Sequence, residues 1–246
     1  MTEPDQPASP YARRGFVAAG LVVALIVIAA VVVAVTGGND NDSKGTPRVG
    51  GASTAAPSTS STTSSSTTGC NQPAGSQLPP VTAPTNKWEL VGKLVAPTDP
   101  AGAGPGKTAA NGLRTCYAHD PTGALFAAVN WLGTTSDAEQ LNLALANLTA
   151  PGAGRDVLTS TLVNNPAGVV GDGGYQIAGF TFLTYTGEVA MLNLAVTSSN
   201  GVEGALPMTL QWSGSDWLYE PPADGNFAAQ TQVIPSLAGY VPWSGS

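Results

Sequence analysis

Three features of the chain carry residue types that do chemistry. The first is the stretch AGAGPGKT, Ala101 to Thr108, one residue away from the phosphate-binding pattern Gly-x-x-x-x-Gly-Lys-Ser/Thr. The second is His119, the one histidine among 246 residues and so the only candidate for imidazole acid–base work. The third is the pair Cys70 and Cys116. Aromatic residues form a weaker fourth set: Trp131, Trp217 and Tyr219 are candidates for lining a concave pocket, with core packing as the default reading.

Each feature has a plainer reading. A phosphate loop needs a buried strand before it and a helix after it, so that backbone N–H groups wrap the phosphates. Here Pro97 and Pro100 separate the loop from the nearest apolar run, Pro105 lies inside it, and no apolar strand ending in Asp follows to hold magnesium. A Gly/Pro connection is the expected role. His119 stands directly before Asp120-Pro121, a helix N-cap followed by proline at the first helical position, so a structural bond in that turn is expected. No Ser or Cys nucleophile has a second histidine to work with, and one His with two distant Cys does not make a zinc site. The expectation is no catalytic residue, no metal and no cofactor.

Composition restricts the partners. Charged residues make up only 10% of the chain and the net charge is −7, which disfavours nucleic acid and anionic membrane surfaces as partners. The 30 Gly and 20 Pro imply that part of the length is linker.

The elements that must position these residues follow a clear order. Residues 1–15 are a short tail ending near Arg13 and Arg14. Residues 16–35, FVAAGLVVALIVIAAVVVAV, hold no charge and would span about 30 Å as a helix, the thickness of a hydrocarbon core. The arginines place the N-terminus in the cytoplasm and the remainder outside. A cleaved signal peptide is the alternative, and ARRGFV resembles a twin-arginine export signal; both also deliver the chain outside. Residues 36–80 are rich in Ser, Thr, Gly and Pro and read as a disordered linker. Two cysteines on the oxidising side of a membrane suggest a disulfide tying the linker's end to the domain.

Residues 81–225 read as the folded domain. Lys87–Val95 reads as a first strand or extended segment. Ala124–Leu132 is a buried helix. Ser136-x-x-Glu139 reads as a capping box opening a second helix that carries Leu141, Leu145 and Leu148 on one face. Gly154–Val163 is a third helix. Beyond it the period becomes two: Tyr175–Thr186, EVAMLNLAVTS, the alternating run Leu206 to Trp212, and WLY. Helices first and an antiparallel meander second argue for α+β, with helices packed on one face of a curved sheet. Residues 226–246 form an apolar tail that wraps the domain or meets a partner.

WELVGKLVAP…GPGKT, CYAHDPTGALFAAVNW and GSDWLYEPPADGN carry a resemblance. Together they resemble an uncharacterised family of actinobacterial single-pass membrane proteins, many carried on integrative conjugative elements and plasmids. The residues in common are Trp88-Glu89, Ala96-Pro97, Gly104-Pro105, Ala118 to Ala128, Asp216-Trp217 and Asp224-Gly225, with Ser215 where that family commonly has Gly. The resemblance covers about residues 81–225. It implies an envelope subunit of a type IV secretion-like conjugation apparatus, with a nuclear-transport-factor-2-like cone outside the membrane. The expected function is therefore a non-enzymatic, single-pass scaffold partnered with itself or other envelope subunits. A small-molecule or cell-wall-binding module is the alternative, and neither nucleotide nor nucleic acid is an expected partner.

Overall fold

Hydrophobic alternation in the C-terminal half produces the sheet that everything else is built on. The computed structural model describes residue 70 and residues 72–164, 174–227 and 230–245. These fall in one compact unit, residues 63–246. Among the described residues no helix is long and apolar enough to cross a membrane. The segments read as cytoplasmic tail (1–15) and anchor (16–35), and the linker up to residue 69, lie outside the described residues.

Strands β5 (Tyr175–Tyr185), β6 (Val189–Ser198) and β7 (Glu203–Trp212) form the antiparallel meander, with the short β8 (Trp217–Tyr219) beside β7. Ala190, Leu192 and Leu194 of β6 and Leu206, Met208 and Leu210 of β7 all point to the buried face, as a period of two requires. β5 carries register shifts at Ile177/Gly179 and Phe182/Thr184, irregularities that bend a strand.

Helix α1 (Pro121–Thr135) lies on the buried face, α2 (Leu141–Asn147) packs on α1, and α3 (Ala153–Asn164) packs on α2. The fold is thus α+β with a large antiparallel sheet, as the order of periodicities implies. Asp120 caps α1 by accepting from Gly123 N at 2.7 Å, and Pro121 follows it. α1 is buried almost all round because the sheet covers one side and a hairpin the other. In its middle, fully buried Asn130 donates to Pro97 O at 3.0 Å and Phe126 O at 2.9 Å, tying the helix to that hairpin.

The hairpin corrects the first strand assignment. Lys87–Val95 is not one strand but part of β1 (Lys87–Val91) and β2 (Leu94–Thr98), joined by Gly92-Lys93 with Gly92 at φ 57°. A two-residue turn of this kind needs positive φ, which glycine supplies. The same turn overturns the capping box. Ser136 ends α1 instead of opening α2: its hydroxyl donates to Gly133 O at 2.6 Å and accepts from Lys93 N at 2.8 Å. α2 starts at Leu141 with no side-chain cap. Leu141, Leu145 and Leu148 are nonetheless buried together.

The domain extends beyond 81–225 in both directions. Residues 72–86 run across it without strand or helix. At the other terminus β9 (Gln232–Val233) pairs with β7, and β10 (Val241–Pro242) pairs with β5 at the sheet edge. Trp243 then enters the core, 5.7 Å from Phe126 and 5.5 Å from Phe180 between ring centroids. The tail wraps the domain.

Candidate functional site

The two stretches CYAHD and SGSDW, about a hundred residues apart in sequence, meet at one end of the sheet. The site begins with a tight turn. Ser213 N donates to Asp216 O at 2.9 Å, Ser213 Oγ accepts from Asp216 N at 3.0 Å, and Gly214 takes φ 86°. This turn aims the Asp216 carboxylate back into the domain. Oδ2 accepts from Cys116 N at 2.7 Å, and Oδ1 accepts from Tyr117 N at 3.1 Å and Trp217 N at 3.0 Å.

Cys116 has φ 69°, the left-handed region that non-glycine residues rarely adopt. That conformation makes the N–H groups of residues 116 and 117 converge, the geometry of an anion nest. Asp216 is the anion that fills it. Burial pushes the Asp216 carboxyl above its ordinary value, while the three backbone donors pull it back down.

The next three residues are held just as specifically. Ala118 O accepts from Trp217 Nε1 at 2.9 Å. The His119 ring stacks on Trp212 at 4.0 Å and 8°, and its Nε2 lies 2.7 Å from Gly187 O. A carbonyl only accepts, so Nε2 carries the proton and is committed to the β5–β6 turn. Asp120 uses Oδ1 to cap α1 and Oδ2 to accept from Gly75 N at 2.7 Å. His119 therefore bonds the distant β5–β6 turn and not the turn it stands in, and the carboxylates of Asp120 and Asp216 have backbone partners.

Cys70 and Cys116 form a disulfide. It joins the chain before residue 72 to this same junction. Further bonds follow along the chain: Gln72 Nε2 to Pro100 O at 3.0 Å, Gln77 Nε2 to His119 O at 2.9 Å, and Tyr185 OH to Gln77 Oε1 at 3.0 Å. Burial, with Asp120 and Glu188 nearby, pushes the Tyr185 hydroxyl up to about 12. Only Cys70 signalled this contact in the sequence; Gln72, Gly75 and Gln77 are lost among Pro and Ser.

The pocket candidates are not gathered around one cavity. Trp131 and Tyr219 pack at 4.1 Å in a cluster with Phe227, and Trp131 Nε1 donates to Thr149 Oγ1 at 2.9 Å. Trp217 belongs to the other cluster, with Trp212 and His119. All three are about 1–2% exposed, so they are core side chains; Tyr219 also lines a 270 Å³ cleft with Pro221 and Pro222.

The loop before Lys107 is a strand-to-strand connection. Asp99 closes it, accepting from Gly102 N and Gly104 N on its carbonyl and from Ala103 N on its carboxylate. Lys107 lies in β3 (Lys107–Thr108), paired with β4 (Arg114–Thr115), and is exposed. The N–H groups of Gly102, Ala103, Gly104 and Gly106 already have acceptors, and a strand stands where the helix is needed. Among the described residues no group of three or more His, Cys, Asp or Glu is placed to hold a metal.

Among the described residues, two larger grooves lie open. One of about 750 Å³ is lined by Trp88, Trp243, Pro84, Pro242, Gln176 and Thr197 among others, with no charged side chain. The other, about 710 Å³, lies between α2 and α3 beside Arg155 and Asp156.

A fold of three helices and a large antiparallel sheet, stapled to its N-terminal extension by one disulfide, defines an α+β domain. Residues 51–242 match the family described as Domain of unknown function (DUF8175), and the chain belongs to that family. No curated protein matches the chain, and no solved structure does.

Proposed function

We propose that the chain is a membrane-anchored extracytoplasmic scaffold subunit of a conjugative-transfer, type IV secretion-like apparatus. The observation that carries this reading is the Cys70–Cys116 disulfide, which joins the end of a Ser/Thr-rich linker to the domain. Disulfides persist in oxidising compartments, which fits an anchor at residues 16–35 with the bulk of the chain outside. A tether of this kind raises the effective concentration of the domain for partners in the same membrane. The groups with chemical potential, His119, Asp120 and Asp216, are consumed in holding the junction together. The bent β5 and helix α1 on the sheet's buried face support a finer reading of the fold as a nuclear-transport-factor-2-like cone.

Crosslinking in intact membranes followed by affinity purification of the detergent-solubilised protein tests this. Recovery of other transfer subunits, or of the chain itself as an oligomer, supports the scaffold. Undiminished DNA transfer after deletion of the gene removes the conjugative role, and recovery of the protein from the cytosol with both thiols alkylatable removes the topology.

The 750 Å³ groove favours the second reading, an envelope module that binds a small molecule or wall fragment. Its uncharged Trp, Pro, Gln and Thr lining suits a neutral ligand. Titration of the full chain with neutral wall fragments, followed through tryptophan fluorescence, separates the two readings.

A further inference from the structure

Residues 72–86 differ from the rest of the domain in how they are held. None of them is buried, and Leu78 and Val81 are 78% and 85% exposed. The segment has no strand or helix. Its attachments are the disulfide at its start, single hydrogen bonds at Gln72, Gly75 and Asn86, and two at Gln77. Ordering a chain of this length costs backbone and side-chain entropy at each residue. A few hydrogen bonds, each of small net value, do not offset that without apolar burial. The cross-link supplies the difference by holding the segment's end against its binding track.

We propose that residues 72–86 are a redox-conditional strap: closed on the CYAHD–SGSDW junction while Cys70 and Cys116 are joined, and released when a dithiol reduces them. The step balances as ordinary exchange. A reductant thiolate attacks Sγ of half-buried Cys70, the S–S bond breaks, and Cys116 leaves as thiolate. The reductant's second thiol resolves the mixed disulfide, so the dithiol becomes a disulfide and the protein gains two thiols.

Release has two consequences. It strips partners from His119 O and Asp120 Oδ2 at the α1 N-terminus and from Pro100 O in the loop before β3. It also moves the point where the N-terminal chain joins the fold from Cys116 to Lys87, at the start of β1. The domain itself stays closed, because Asp120 still caps α1 and Asp216 still grips the N–H groups of residues 116 and 117. That grip keeps Cys116 in place for reoxidation. The inference does not depend on which partner the scaffold has.

Hydrogen–deuterium exchange of the full chain in detergent micelles, oxidised and after dithiothreitol, tests it. The expected result is at least tenfold faster exchange at the Gly75 amide, the one amide of residues 72–86 seen to donate to the domain, with β5, β6 and β7 unchanged. Cys70→Ser should reproduce that pattern without reductant. Protection of the Gly75 amide that survives reduction overturns the proposal, because the strap then holds itself. Equal loss of protection in the meander also overturns it, because the disulfide then staples the whole fold. The reductant arm decides the matter alone if Cys70→Ser does not accumulate.

Discussion

The two terminal segments fasten themselves to the same domain by opposite chemistry. The N-terminal strap, residues 72–86, uses a disulfide and a few polar bonds and buries no residue. The C-terminal tail, residues 230–245, pairs briefly with β7 and β5 and drives Trp243 into the core against Phe126 and Phe180. The first attachment depends on redox state, the second on the hydrophobic effect. They meet where Trp243 Nε1 donates to Asn86 Oδ1 at 2.9 Å. Covalent linkage substitutes for burial where a segment leaves its apolar side chains, Leu78 and Val81, outside the core.

Breaking the apolar attachment should cost most. Trp243→Ala removes a side chain only 5% exposed and is expected to destabilise the domain by about 3–5 kcal/mol in urea denaturation. A loss under about 1 kcal/mol would show that the tail is dispensable. Removing the disulfide comes next. The 46-residue separation allows about 4 kcal/mol in the chain-entropy account, but a released strap regains chain entropy in the folded state. The expected loss on reduction is therefore about 2 kcal/mol, read from the shift in denaturation midpoint with and without reductant.

The junction that the strap closes is sharpened by pH. Burial raises the Asp216 carboxyl above its unfolded value, so its neutral form favours the native state. That contribution is fully present below the unfolded value and is lost as pH rises through the folded one. Stability should fall over that interval, and Asp216→Asn should flatten the slope; melting temperature against pH for both proteins checks it. An unchanged slope would assign the pH dependence to another carboxyl. The smallest effect is expected from Gln77→Ala, within about 1 kcal/mol while the disulfide is intact, since it removes only two exposed hydrogen bonds. A larger loss would mean that the strap is held by its own contacts.

Much of this architecture was legible in the residues because it is set by short-range rules. Asp120-Pro121 announces the start of α1, the leucine spacing announces α2, and alternation from Tyr175 onward announces the meander. The disulfide followed from two cysteines and the inferred compartment. The errors arose where a local pattern had a distant competitor. Ser136-x-x-Glu139 has the form of a capping box, yet Lys93 N takes the serine hydroxyl from a turn 43 residues away. Val91-Gly92-Lys93-Leu94 looked like continuous strand because both flanks are apolar, although Gly92 permitted the reversal.

What the amino-acid order alone determined is the succession of elements, since propensity, capping and periodicity act within a few neighbouring residues. What only the tertiary structure decided is the fate of the polar groups and the aromatics. Asp216 reaches Cys116 across 100 residues, His119 meets Gly187 across 68, and Trp131 joins Tyr219 in the core and not around a pocket. Such pairings depend on chain reversals that bring distant segments together, and no local pattern encodes which donor will find which acceptor there.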